Sequence, residues 1–204
     1  MSRVALFLNG QTPSLIPDLE QFEQIFCTDG AFLYLKALNI TPDVVSGDFD
    51  SISSNEIPKE IEVVYTPDQN YTDFEKALIL IENRNFNEVY VYGSSGMEHD
   101  HFLGNLSSGL KFKERLTIVF FDDFSYYFFT DKSIVLDGYK GRTISLYPFP
   151  VTKGIKTKGL KYPLESEDLD MTKRIGIRNQ AVEDKVEIRY KEGELLLFIK
   201  LETP

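Results

Sequence analysis

The sequence predicts two domains: an α/β domain with a mainly parallel sheet flanked by helices over residues 1–128, and an all-β sandwich over residues 129–204. Two observations carry this reading. Up to about residue 121, short apolar runs alternate with amphipathic helical stretches, which is the pattern of strand and crossover helix. From about residue 125, runs rich in β-branched and aromatic residues follow one another at close spacing, with turn dipeptides between several of them. The change of pattern near residues 123–133 marks the boundary. At 204 residues and 42% hydrophobic content, the chain is long enough for one large core or two smaller ones.

Arg3-Val4-Ala5-Leu6-Phe7-Leu8 is a continuous apolar run closed by Asn9-Gly10, the signature of a buried strand ending in a turn. A helix is expected near residues 17–24, then a second buried strand, Ile25-Phe26-Cys27-Thr28, broken by Asp29-Gly30. Ala31, Tyr34, Leu35 and Leu38 fall at helical spacing, so Asp29 stands at a strand-to-helix junction, where open α/β sheets place their ligands. Asp43-Val44-Val45 leads into Ser46-Gly47-Asp48-Phe49-Asp50-Ser51. If that stretch stays extended, Asp48 and Asp50 share a face while Phe49 turns into the protein. Residues 61–65 are a further strand. Thr72 and Glu75 match a capping box for the next helix, with Phe74, Ala77, Leu78 and Ile81 as its buried stripe. Residues 88–92 form another strand, followed by the Gly93-Ser94-Ser95-Gly96 turn, a helix running to about residue 113, and a strand at 116–121.

In the second domain, strands are expected at residues 126–129, 133–136, 143–147, 186–190 and 195–199, with turns at Asp137-Gly138, Lys140-Gly141 and Glu192-Gly193. The aromatic segment from Phe120 to Phe129 fits a core or a domain boundary better than a ligand surface.

A net charge of −10 without a long basic run argues against nucleic acid or an anionic membrane as partner. No stretch approaches the roughly 18 apolar residues of a membrane span. Residues 1–10 lack the basic region and cleavage site of a signal peptide, so a cytoplasmic protein is expected. Cys27 is the only cysteine, which rules out an internal disulfide. His99 and His101 form a His-x-His pair, but with no further histidine and no cysteine nearby a zinc site is disfavoured.

Asp48, Asp50, Asp73 and Asp100 each fall at the end of an expected strand or at the start of the helix beyond it. In a parallel sheet those ends share one edge, so four carboxylates distant in sequence can gather around one or two metal ions. A hard cation such as Mg²⁺, completed by substrate phosphates, suits such oxygen ligands and phosphoryl transfer. Plainer readings stand beside this one. Asp48 and Asp50 also fit an exposed acidic turn, and Asp73 also fits a favourable charge in a first helical turn, worth about 0.3–1 kcal/mol. There is no G-x-x-x-x-G-K-[ST] phosphate loop.

Five blocks then make the pattern specific. They are Thr28-Asp29-Gly30-Ala31; the run from Pro42 through Asp48-Phe49-Asp50 to Ser51; the run from Asp68-Gln69 through Thr72-Asp73 and Lys76 to Leu78; Gly93 through Asp100-His101 to Asn105; and Thr157-Lys158-Gly159-Leu160-Lys161-Tyr162-Pro163-Leu164. In order and spacing the sequence resembles the thiamine pyrophosphokinases (thiamine diphosphokinases), which transfer a diphosphate group from ATP to thiamine and release AMP. The resemblance implies an N-terminal domain for ATP and Mg²⁺, a β-sandwich for thiamine and dimerisation, and a homodimer with thiamine between subunits. By motif position it implies that Asp48, Asp50, Asp73 and Asp100 are the metal and catalytic cluster, with Asp73 assisting deprotonation of the thiamine hydroxyl. It further implies that Asp29, Gly30, Gly93, His101 and Asn105 are cofactor-binding, with Gln69 near substrate and Lys76 near phosphate. Residues 159–164, with Tyr162, and Asn179 are implied to shape the thiamine pocket. An aromatic face suits a cationic thiazolium ring; an ordinary packed aromatic is the other reading of Tyr162.

Two positions depart from the family pattern. Glu98 stands where an Arg is common, and Arg178 stands where relatives often carry Ser. Two alternatives therefore stay open: diphosphate transfer to another small alcohol such as a hydroxymethyl-pterin, and a non-catalytic nucleotide- or thiamine-binding protein.

Overall fold

The computed structural model describes residues 2–50, 52 and 56–202, and it divides into two compact units, Met1–Asp123 and Phe124–Pro204. In the first unit the strands β1 (Arg3–Phe7), β2 (Gln24–Thr28), β3 (Val44–Gly47), β4 (Glu62–Tyr65), β5 (Glu88–Tyr92) and β6 (Thr117–Phe121) pair in the order β4-β3-β2-β1-β5-β6. Every pairing is parallel. The order reverses between β1 and β5, so the carboxyl ends of these two strands flank the switch point at which such sheets bind ligands.

Helices α1 (Asp29–Ala37), α2 (Asp73–Asn83) and α3 (His99–Phe112) provide the crossovers from β2 to β3, from β4 to β5 and from β5 to β6. Ala5, Phe7, Cys27, Val45 and Tyr92 form one apolar face of the sheet with Ala31, Phe32 and Leu35 of α1. Alternation sends Leu6, Phe26, Val44, Val91 and Phe120 to the other face, where Phe74 of α2 meets Phe120 edge-on with ring centroids 5.9 Å apart. Coverage on both faces explains why β1 is a continuous apolar run rather than an alternating one. The capping box of α2 forms as expected: Glu75 N donates to Thr72 Oγ1 and Thr72 N to Glu75 Oε2, both at 3.2 Å.

Two local expectations are corrected. Residues 17–24 hold only a short 3-10 turn, Leu19–Gln21, because Asp18 accepts from Glu20 N and the chain enters β2 at Gln24. On α1 the buried stripe is Asp29, Ala31, Phe32 and Leu35, whereas Leu38 is the exposed C-cap and Tyr34 turns its hydroxyl to Leu8 O at 3.0 Å.

The second unit is antiparallel throughout. Its strands are β7 (Ser125–Phe129), β8 (Ser133–Asp137), β9 (Thr143–Lys158), β10 (Glu165–Asp170), β11 (Gly176–Gln180), β12 (Lys185–Arg189) and β13 (Glu192–Lys200). The division falls before the expected break at 128/129 because β7 pairs with β13. The expected strand at 143–147 is the first third of a 16-residue strand. It continues through Pro148 and Pro150 because its neighbour changes there, from β11 at Leu146 to β10 at Val151. On that edge a proline's missing N–H costs no ladder bond, while on the other edge Leu195 of β13 stays opposite Pro148. The core comprises Ile144, Leu146, Ile155, Val186, Ile188, Leu195, Leu197 and Ile199, among others.

Candidate active site

The carboxyl ends of the parallel strands open on a cleft of about 540 Å³ in the first unit. Its lining includes Asp29, Asp48, Asp50, Gln69, Asp73, Lys76, Gly93, Asp100, His101 and Asn105, so ten of the positions singled out from sequence meet in one place. Gly30 lies in the first turn of α1 beside it. Tyr162 and Asn179 belong to the second unit.

Asp29 is the buried member. Its side chain enters from the first turn of α1 and accepts Gly30 N at 2.8 Å on Oδ1 and Phe49 N at 2.9 Å on Oδ2. Burial pushes its carboxyl above the usual range, opposed by these two backbone donors and helped by the charges of Asp73 and Asp48. The bond to Phe49 also corrects the expected geometry of the acidic stretch. β3 ends at Gly47, and Phe49 takes a left-handed conformation, φ 59°, instead of continuing the strand. Asp50 N then folds back onto Asp48 Oδ1 at 3.3 Å. A positive φ at a bulky residue is costly and is held only where its surroundings over-determine it. Here Asp29 fixes the amide and the Phe49 ring stacks near Tyr65, with centroids 6.5 Å apart. Phe49 packs on the core as expected, by a turn rather than by alternation. Ser51 lies outside the described residues.

The turn brings ligand atoms of Asp29, Asp48 and Asp50 all within 4.8 Å of one another. Among the described residues this triad is the group able to hold a metal ion, and Asp73 and Asp100 line the cleft outside it. The expected set of four is thus divided, and Asp29 joins Asp48 and Asp50. Three hard carboxylate oxygens, one of them buried where its charge is poorly solvated, fit a divalent cation. Gln69 Nε2 donates to Asp48 Oδ2 at 2.8 Å, and this bond, with the Asp50 amide, holds the Asp48 carboxyl below its usual range.

Asp73 pairs with Lys76 at 2.7 Å; Lys76 is itself buried and also donates to Thr66 O at 2.9 Å. Asp100 accepts His101 N at 3.1 Å in the first turn of α3, and Glu98 lies 3.5 Å from the His101 ring. Asn105 Nδ2 donates to Ser94 O at 2.9 Å and steadies the turn after β5. Gly93, at φ 68°, allows that turn to approach β1: a β-carbon there would stand 2.3 Å from Leu8 O.

In the second unit Asn179 is buried and clamps the 162 loop, accepting Tyr162 N at 3.1 Å and donating to Tyr162 O at 2.8 Å. The Tyr162 ring is 62% exposed, so the packed reading fails within this unit. Arg178 sits in a β-bulge at φ 56° and forms no ion pair with Glu183 among the described residues. Sequence reasoning missed Asn9 and Thr28, which line the cleft; Asn9-Gly10 carried only a turn signal.

Comparison with known proteins identifies the family. Residues 18–120 match the family model "Thiamin pyrophosphokinase, catalytic domain", and residues 131–195 match "Thiamin pyrophosphokinase, vitamin B1 binding domain". The chain is 27% identical to thiamin pyrophosphokinase 1 of Caenorhabditis elegans over 98% of its own length and 90% of the relative's. It is 26% identical to the thiamine pyrophosphokinase of Bacillus subtilis over 92% and 94% of the two chains. The solved thiamin pyrophosphokinase of Candida albicans superposes with a TM-score of 0.86 at 17% identity, covering 98% of this chain and 89% of that one. The Bacillus subtilis structure superposes with a TM-score of 0.81 at 23% identity, covering 99% and 100%. These two superpositions speak to the fold alone.

Proposed function

Because the chain belongs to the thiamin pyrophosphokinase family, whose two domain models it matches in order, we propose that it transfers the diphosphate group of ATP to the hydroxyl of thiamine, giving thiamine diphosphate and AMP in a Mg²⁺-dependent reaction. The observation that carries this reading is the convergence of Asp29, Asp48 and Asp50 within 4.8 Å at the ligand-binding edge of the sheet. A cluster so repulsive calls for a cation between its carboxylates, and a protein that merely binds nucleotide or thiamine has little need of it.

Asp29, Asp48 and Asp50 would hold the cation. When bound, it supplies charge neutralisation at the phosphate oxygens as the β-phosphorus is attacked. The chain's own groups do the rest. Gln69 holds the Asp48 carboxylate in place. Asp73 takes the proton from the thiamine hydroxyl as that oxygen attacks, and its ion pair with buried Lys76 fixes the direction of its carboxylate. Asp100, across the cleft on α3, adds a further carboxylate toward the phosphates and their counter-ions. Asn105 keeps the turn after β5 in position through Ser94 O. Thiamine binding is assigned to the second unit, where the exposed Tyr162 ring and the Asn179 clamp support it. The reading carries with it a homodimer and a cytoplasmic site of action. Among the described residues no helix is long and apolar enough to cross a membrane.

The test is to mix the purified protein with ATP, Mg²⁺ and thiamine and to separate the nucleotides. Thiamine-dependent AMP is expected. Thiamine-dependent ADP would replace this reading with single phosphoryl transfer, and turnover only with another alcohol would change the acceptor.

A further inference from the structure

A polyphosphate bound in this cleft meets few positive charges. Among the described lining residues the only Lys or Arg is Lys76, and its ammonium is already engaged by Asp73 at 2.7 Å and Thr66 O at 2.9 Å. Phosphate oxygens not neutralised by a cation are then left to His101, to neutral donors and to water. The structure points to one that the family resemblance did not single out. Asn9 follows β1 at the switch point, lines the cleft, and among the described residues its side chain has no hydrogen-bond partner.

Its position is built by another residue. Gly30 is the second residue of α1 and has no positive φ. A helical glycine costs roughly 0.5–1 kcal/mol relative to alanine, so its presence needs a reason. The reason is room: a β-carbon on Gly30 would stand 2.4 Å from Asn9 Nδ2 and 2.7 Å from Asn9 Cγ. The next residue after Asn9 is equally constrained, since a β-carbon on Gly10 would stand 2.2 Å from Gly93 O. The Asn9 amide nitrogen is thus seated against Gly30, whose own N–H is bound by Asp29 Oδ1. That places a neutral donor against the residue that follows Asp29 of the carboxylate triad.

We propose that Asn9 is a substrate-binding residue whose side-chain amide donates to a non-bridging phosphate oxygen of the nucleotide, with Gly30 serving to seat it. This rests on the assignment of the cleft to a nucleoside triphosphate.

The experiment is calorimetric titration of the full chain and of Asn9→Ala and Asn9→Asp with Mg²⁺-tripolyphosphate and with Mg²⁺-ATP. A hydrogen bond to a charged group predicts that Asn9→Ala weakens both ligands alike, by about tenfold to a hundredfold. Asn9→Asp, nearly the same shape but carrying a charge of the wrong sign, weakens them further. Thermal melts of the three proteins establish that each is folded, and the near-isosteric Asp variant decides the matter if Asn9→Ala does not fold. Unchanged tripolyphosphate affinity in a folded variant overturns the proposal, as does a loss confined to ATP, which would put Asn9 on the nucleoside. Thiamine-dependent AMP production by the wild type, measured alongside, separates the two levels. AMP production with an indifferent Asn9 defeats only this inference, whereas Asn9-dependent tripolyphosphate binding without AMP production defeats the assigned reaction.

Discussion

The carboxylate of Asp29 rests directly on the backbone of Gly47: a β-carbon at Gly47 would stand 2.4 Å from Asp29 Cγ and 2.6 Å from Oδ2. The end of one strand thereby sets the position of a carboxylate from the helix that precedes it, and that carboxylate in turn fixes the left-handed turn at Phe49 through its amide. Gly47→Ala is expected to push Asp29 out of its seat. Overpacking of this kind costs about 1–3 kcal/mol of stability. Displacing a group that orients metal-binding carboxylates lowers metal affinity by about 10- to 100-fold. Thermal melts with and without Mg²⁺ check both: a variant that melts lower yet gains the same stabilisation from Mg²⁺ would show that the seat does not govern the site.

Asp73→Asn keeps the size of the side chain and can still accept a hydrogen bond from Lys76, while removing the carboxylate that would take the thiamine proton. Turnover is expected to fall by about 10²–10⁴-fold, with ATP affinity changed far less. Steady-state kinetics paired with ATP titration measure the split; equal losses in both would make Asp73 a nucleotide-binding group instead.

The capping box at Thr72 and Glu75 holds the start of α2, the turn that carries Asp73. Thr72→Ala removes one of the two reciprocal bonds and is expected to cost about 1 kcal/mol. Urea unfolding would report this as a lower midpoint with an unchanged slope.

Cys27 is buried beneath α1, and burial pushes its thiol well above the ordinary value of 9.0. The folded state then keeps the proton while the unfolded state loses it. The sign follows: stability is unaffected by this group below pH 9.0 and falls as pH rises beyond it, at up to about 1.4 kcal/mol per pH unit. Cys27→Ala is expected to flatten that alkaline decline after allowance for the methyl-scale packing loss. The native thiol is also expected to resist alkylation at neutral pH and to react once the protein is unfolded in urea.

The sequence made legible what rests on local pattern. The parallel strands announced themselves as apolar runs, the α2 cap as Thr72 with Glu75, and the shared sheet edge as carboxylates following strands. Hidden from it was whatever depends on a distant partner. Phe49 turns left-handed because of an acceptor 20 residues earlier in the chain. Asp29 joins Asp48 and Asp50 only once β2 and β3 are side by side. β10 is too acidic and exposed to read as a strand; it is held by pairing on β9, with Glu165 opposite Lys156 at 3.2 Å and Leu169 as its buried anchor. Asn9 carried a turn signal and no other, since the glycine that seats it lies on a different element.

Transfer of a diphosphate group as a unit to thiamine at this acidic cleft can be followed with ATP labelled with radioactive phosphorus at its β position. With Mg²⁺ and thiamine present, the label is expected in thiamine diphosphate, with AMP unlabelled. Label retained in ADP, or recovered in inorganic phosphate with thiamine unmodified, would exclude diphosphate transfer to thiamine.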